Sequence, residues 1–278
     1  VKQTFVHLYI CIPLLLFVYA AVNKRKIHWR PVFIKLVALA FINLFIINAG
    51  FLFYKTGQTL QEYVFVSRMF QAFQQTFSFI GNMPLPLPEP YLSGMDTVKY
   101  FDELGGGFRD STFSVVSILG HKQPGASYWY YYLVTLFYKI PIPVSLFFIW
   151  TLIKIFSGNN KSFFAKNEIL LLAPFVYFLV VMSLLNNIQA GERHILFLYA
   201  GIFILCGKIV TNPLKRKHAL LTGAGCAWML ISVFSYRNCF ISYTNEFIHD
   251  KKFAYKKVGN ANLDFGQGGT SALQYMKD

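Results

Sequence analysis

Apolar runs of membrane-crossing length constrain this chain more than any other feature. Six occur, at residues 5–22, 32–54, 128–156, 169–185, 195–210 and 219–236. Crossing roughly 30 Å of hydrocarbon takes about 20 helical residues, fewer where flanking side chains snorkel or the bilayer thins. Unpaired backbone is too costly in lipid, so each run is expected to be helical. Among 278 residues, 55% are hydrophobic and only 14% charged, more apolar than a soluble core absorbs. The expected fold class is an all-α membrane protein, a polytopic bundle of about six transmembrane helices with an extracytoplasmic loop region.

The net charge of +14 would suggest nucleic acid in a soluble protein, but its distribution argues against that partner. Lys24, Arg25, Lys26 and Arg30 follow the first run; Lys154, Lys161 and Lys166 follow the third; Lys208, Lys215, Arg216 and Lys217 follow the fifth. By the positive-inside rule these connections are cytoplasmic. The chain then divides into two transmembrane helices (1–54), an extracytoplasmic loop (55–127), four transmembrane helices (128–236) and an extracytoplasmic tail (237–278). The loop fits, its five basic residues being balanced by six acidic ones. The tail fits less well, with Lys251, Lys252, Lys256 and Lys257, though charge far from a span has little influence on topology. The implied location is a plasma membrane.

No basic region followed by a small-residue cleavage site precedes the first run, so it reads as a span rather than a signal peptide. Val1 in place of Met suggests a fragment or an unusual start codon, and the tail reads as the start of a truncated outer region. Cys11, Cys206 and Cys226 lie in apolar runs and, with Cys239, show no metal-ligand or CxxC spacing.

In the outer loop, Leu60, Tyr63, Val64, Phe70, Phe73, Phe77 and Ile80 recur at helical spacing, with Gln61, Glu62, Arg68, Gln71 and Gln75 on other faces. The pattern predicts an amphipathic interfacial helix on the outer leaflet, or the core helix of a small outer domain. Pro84, Pro86, Pro88 and Pro90 predict an extended stretch, and Gly105 to Gly107 a turn. Glu89, Asp96, Asp102, Glu103 and Asp110 are candidate bases only loosely, most being expected as solvated surface charges.

Three groups of residues could carry chemistry. Tyr128-Trp-Tyr-Tyr-Tyr132 precedes Lys139-Ile-Pro-Ile-Pro143, whose prolines should break the helix beside Lys139. An ammonium there could hold a lipid phosphate; a snorkelling interfacial lysine is the equally weighted alternative. Gly191-Glu-Arg-His194 opens the fifth run, bringing Arg193, His194 and a helix N-terminus together as a possible anion site. An anchoring arginine with an interfacial histidine is the competing reading, and clustering with Lys139 would favour the site. In the tail, Asn260-Ala-Asn-Leu-Asp-Phe-Gly-Gln267 suggests a tight polar loop in which Asp264 and Gln267 could bind sugar hydroxyls, although by spacing a solvated turn is the commoner outcome. The sequence contains no Walker loop, GxGxxG fingerprint, nucleophile elbow or metal-ligand cluster.

Taken in order, these motifs resemble the second half of the lipid-carrier-dependent glycosyltransferases related to protein O-mannosyltransferases, the glycosyltransferase family 39 group of GT-C type, especially bacterial members. The landmarks are Leu85-Pro-Leu-Pro-Glu-Pro-Tyr-Leu-Ser-Gly-Met-Asp96, Gly120-His121, Trp129-Tyr-Tyr with Lys139-Ile-Pro-Ile-Pro, Glu192-Arg-His-Ile195, Tyr243-Thr-Asn-Glu246 and Asn262-Leu-Asp-Phe-Gly-Gln267. The resemblance runs from about Val32 onward. It implies transfer of a hexosyl or pentosyl unit from a polyprenyl-phosphate donor to a glycan, lipid or protein acceptor outside the membrane. It also implies that Arg193, His194 and Lys139 hold the carrier phosphate, that Asp96, His121, Asp264 and Gln267 are possible acceptor or sugar contacts, and that Asp264 and Gln267 shape structure or substrate. No cofactor is identified, and a divalent metal is left open. The chain departs from the family at Ala261 and Phe265, where Ser and Trp are usual, and at Phe197 and Leu198, where the arginine motif usually continues to Pro. The family's expected catalytic acid lies in an earlier loop, so no catalytic base is assigned here.

Two further readings are a lipid or small-solute transporter or flippase, and a non-catalytic scaffold subunit. A coupled transporter normally carries more ionisable groups at bilayer depth than His7, Lys35 and Lys139. The enzyme reading requires Lys139 and Arg193 to converge within a phosphate's reach on the outer face, beneath a cavity open to the bilayer.

Overall fold

In a computed structural model of the chain, the described residues are 7–24, 26–104, 116–122, 127–156, 169–189, 191–207, 216–259 and 262–263. Helix dominates them, in keeping with an all-α architecture, and their sheet is a two-stranded hairpin. The chain divides into two compact units, Val1–Gly105 and Gly106–Asp278. The anticipated outer loop, 55–127, is therefore shared between two units.

All six apolar runs contain helix: α1 (Leu8–Asn23), α2 (Trp29–Gly50), then, after the helices of the outer loop, α5 (Tyr131–Lys139) with α6 (Ile142–Phe156), α7 (Ile169–Leu184), α8 (Leu196–Gly207) and α9 (Arg216–Phe234). By length and composition α2 alone among these suffices to cross a bilayer, and α5 with α6 qualifies together as a broken span or a re-entrant loop. Among the described residues α1 and α7 have 16 residues each, a rise of about 24 Å against ~30 Å of hydrocarbon.

In the first unit, α1 and α2 are joined by a bond from the Asn43 amide to the Tyr9 hydroxyl, at 2.5 Å. The single amphipathic helix expected over residues 60–80 is instead three pieces, the short 3-10 turns Leu60–Glu62 and Ser78–Ile80 flanking α3 (Arg68–Thr76). Tyr63 and Ser67 are extended, and the amides of Val66 and Ser67, unable to join a helix, donate to the Asp96 carboxylate at 2.7 and 2.9 Å. Ser67 then caps α3 through Phe70 N–H. Leu60, Tyr63, Phe65 and Leu92 form the buried cluster of this unit, with Phe70, Phe77, Leu85 and Leu87 against it. The proline stretch is extended only as far as Pro88. Pro90 sits in the first turn of α4 (Glu89–Glu103), where a missing N–H costs nothing.

In the second unit α6 packs against α8 and α9, while α7 contacts both α5 and α8. Leu205 of α8 is buried among Phe148, Leu152, Leu171 and Leu172. The hairpin β1 (Ser117–Ile118) and β2 (His121–Lys122) pairs in antiparallel register, and Ile118 also bridges Val258 of the tail. The Gly105–Gly107 turn, Asp110, Asp264 and Gln267 fall outside the described residues.

Candidate functional site

The second unit turns by 115° between α5 and α6, and the reason is local. A residue before proline avoids the helical region, and Ile140, preceding Pro141, is extended at φ −80° and ψ 131°. Pro141 and Pro143 also lack the N–H groups that a continuous helix would direct at Phe137 and Lys139 carbonyls. Carbonyls left open at such a break must find other donors.

Asn245, wholly buried, supplies them. Its side-chain amide donates to Phe137 O at 2.6 Å and to Ile140 O at 2.9 Å, and its backbone N–H donates to Tyr138 O at 2.8 Å. One tail residue therefore caps the elbow. Nothing in its sequence spacing announces this role, because its partners lie about a hundred positions earlier.

Lys139, at the elbow itself, is 4% exposed. Its ammonium donates to Ile241 O at 2.7 Å and to Asn262 O at 2.6 Å, and pairs with Glu192 Oε1 at 3.3 Å. An ammonium has three protons, and all three are engaged. Neither the free phosphate ligand nor the snorkelling lysine expected from sequence describes this geometry. Lys139 instead cross-links the elbow, the tail and the Arg193 turn.

That turn is a 3-10 segment, Glu192–Ile195, leading into α8. Gly191 precedes it at φ 88°, a left-handed conformation that glycine adopts without the strain a side chain would bring. The Gly191 amide donates to the Tyr131 hydroxyl at 3.0 Å and the Glu192 amide to Asn262 Oδ1 at 2.9 Å. The second Glu192 oxygen accepts from the Tyr199 hydroxyl at 2.5 Å. Arg193 is exposed and His194 half-buried. Lys139 thus pairs with Glu192, the residue that adjoins Arg193 in the turn.

Glu192, Asn262 and Tyr131 lie within the motifs read from the sequence, but that reading gave none of them a role. A signal existed for the first: Glu192 is one of two acids between residues 128 and 236, and a buried lysine needs a partner.

His121 is exposed on β2, its ring 6.3 Å from that of Tyr128. Tyr128 is fixed by reciprocal bonds between its backbone and the Gln189 side chain, at 2.9 and 2.8 Å, two residues before Gly191. Asp96 belongs to the first unit and is 3% exposed, not solvated. Its oxygens accept from Val66 N–H, Ser67 N–H and the Ser67 hydroxyl, which gives it a use in holding the start of α3. Glu103 does the same for Arg68 and Met69 N–H, Asp102 is buried and pairs with Lys99 at 2.6 Å, and Glu89 accepts from Ser93 at 2.8 Å. Among the described residues no group of three or more His, Cys, Asp or Glu is placed to hold a metal ion.

Comparison of the chain with protein families, with curated proteins and with solved structures returns no significant match.

Proposed function

We propose that this chain is part of a multi-pass membrane glycosyltransferase of the GT-C type, moving a sugar from a polyprenyl-phosphate donor to an acceptor outside the membrane. The observation that carries the reading is the joining of Lys139, Glu192 and the Arg193 turn at a sharp break between two apolar helices. Glu192 offsets the charge of Lys139, and the neighbouring Arg193 brings a guanidinium to the exposed side of the same turn, where an anion could reach it. A planar guanidinium binds phosphate oxygens in pairs, and the start of α8 adds its N-terminal dipole.

A membrane setting is supported by the outward face of α2, where Phe33, Ile34, Phe41, Ile42, Phe45 and Ile46 are all more than half exposed. Such a stripe is costly in water and favourable against lipid tails. The ordered run of sequence landmarks, from Leu85 to Gln267, adds the chemistry.

A sugar C1 bonded to a lipid phosphate already has a good leaving group. The protein then has to position the acceptor, remove its proton and stabilise the departing phosphate with fixed positive charge. Arg193 does the last, Lys139 acts through Glu192 as a positioning residue, and the base is assigned to no residue of this chain.

The test is transfer of a labelled sugar from a polyprenyl-phosphate donor by the full-length protein in lipid nanodiscs. Arg193→Ala is expected to lower turnover by about 100-fold, as for loss of one group stabilising transition-state charge. Equal turnover in the variant would remove Arg193 from the mechanism.

A further inference from the structure

We propose that Asn262 is a positioning residue for the Arg193 turn, so that the tail must be docked at the elbow for the turn to hold an anion. This rests on the phosphate-binding role given to Arg193 above.

Asn262 is 1% exposed, and each of its polar groups beyond the main-chain N–H is engaged. Oδ1 accepts from Glu192 N–H at 2.9 Å; Nδ2 donates to the Tyr131 hydroxyl at 2.9 Å and to Gly259 O at 3.3 Å; the carbonyl accepts from Lys139 at 2.6 Å. The same Tyr131 hydroxyl accepts from Gly191 N–H at 3.0 Å. The two amides that immediately precede Arg193 are therefore both tied to the Asn262–Tyr131 pair, and the Glu192 carboxylate is held by Lys139 and Tyr199.

An amide side chain offers an acceptor oxygen and two N–H donors at this one position. Aspartate keeps the acceptor and loses the donors; alanine loses both. The tail reaches this place because Val258 bridges Ile118 and Gly259 N–H donates to Ser117 O at 3.0 Å. A Cβ on Gly259 would lie 2.7 Å from Ser117 Cβ, so glycine permits the close approach. The hairpin thus serves as the dock for Val258 and Gly259, and Asn262 as the residue that holds the Arg193 turn.

The experiment compares the full chain with Asn262→Ala, Asn262→Asp, Arg193→Ala and the Arg193→Ala/Asn262→Ala double variant in nanodiscs. Hydrogen exchange is read at the 191–195 turn, and binding of polyprenyl phosphate is titrated separately. In Asn262→Ala, exchange at Gly191 and Glu192 should rise about tenfold while α6 and α8 keep their protection, the loss expected for one unmade buried hydrogen bond. Asn262→Asp should keep the protection of Glu192 N–H, because Oδ1 remains. Polyprenyl phosphate should bind about tenfold more weakly to Asn262→Ala, with little further loss on adding it to Arg193→Ala, since both changes disable one interaction.

Unchanged exchange at the turn in Asn262→Ala, or exchange that rises equally in α6 and α8, would overturn the positioning role. Full affinity in Asn262→Ala alongside lost affinity in Arg193→Ala would overturn the link to anion binding. If the unmodified chain binds no polyprenyl phosphate, the carrier reading and the anion-binding link both fail, while a turn that still loosens in Asn262→Ala supports the positioning.

Discussion

Two polar clusters, one in each unit, solve opposite halves of the same problem. At the start of α3 the open groups are amides, and the side chains that meet them are acids: Asp96 takes Val66 and Ser67, Glu103 takes Arg68 and Met69. At the end of α5 the open groups include carbonyls, and Asn245 donates to them. The polarity of a helix fixes which chemistry suits each end, because N–H groups are left open at the first turn and C=O groups at the last.

The clusters differ in what the charge does. Among the described residues Asp96 is held by hydrogen bonds from residues 66 and 67. Lys139 has a counter-ion, Glu192, that belongs to a different part of the chain and adjoins an exposed arginine. A charge held by nearby amides fastens one helix end. A charge held by a distant carboxylate links elements, and so can carry a site.

The largest effect that would break this contrast is expected at Lys139. Lys139→Met leaves Glu192 half-paired and two carbonyls without a donor, at a cost of about 3–5 kcal/mol for breaking a buried ion pair. Thermal unfolding in detergent should show it, and Lys139→Met/Glu192→Gln should lose less than the sum of the single changes. Additive losses would mean that the pair is not an energetic unit.

Asp96→Ala comes next. It strands two amides and a hydroxyl at a buried position, for a loss of about 3 kcal/mol in denaturant unfolding, with new protease cleavage around residues 63–68. Wild-type stability in this variant would show that α3 starts correctly without its acid.

The smallest effect is expected at Tyr63, beside the first cluster. Burial, with Glu89 and Glu62 adding to it, raises the Tyr63 phenol above its ordinary value. The folded state therefore favours the neutral phenol, and this contribution is complete below about pH 10 and lost as pH rises toward the raised folded value. The hydroxyl has no hydrogen-bond partner among the described residues, so Tyr63→Phe should change stability by less than about 0.5 kcal/mol at pH 7. Above pH 10 the variant should lose less stability than the unmodified chain, and unfolding midpoints between pH 8 and 11 check both statements. Parallel alkaline losses would mean that the phenol is solvated.

Much of the helical content was legible in the sequence because apolar runs and proline have local consequences. Residues 128–156 carry the break at Pro141 in their own covalent chemistry, and it occurs there. Residues 60–80 misled for the converse reason: helical spacing of Leu60, Phe70 and Phe77 is real, but Asp96, about thirty positions later, captures the amides at Val66 and Ser67. Lys139 and Arg193 were visible as charges in unusual places. The pairing of Lys139 with Glu192, and the capture of the elbow by Asn245 and Asn262, were not.

What the sequence determined by itself, then, is where helices form, where one must break, and which cations stand near the break. The tertiary structure decided which of those cations is buried and which is exposed. The reason is physical: periodicity and proline act over a few residues, whereas a buried ammonium takes whatever acceptors the fold brings to it, and those come from Glu192, Ile241 and Asn262.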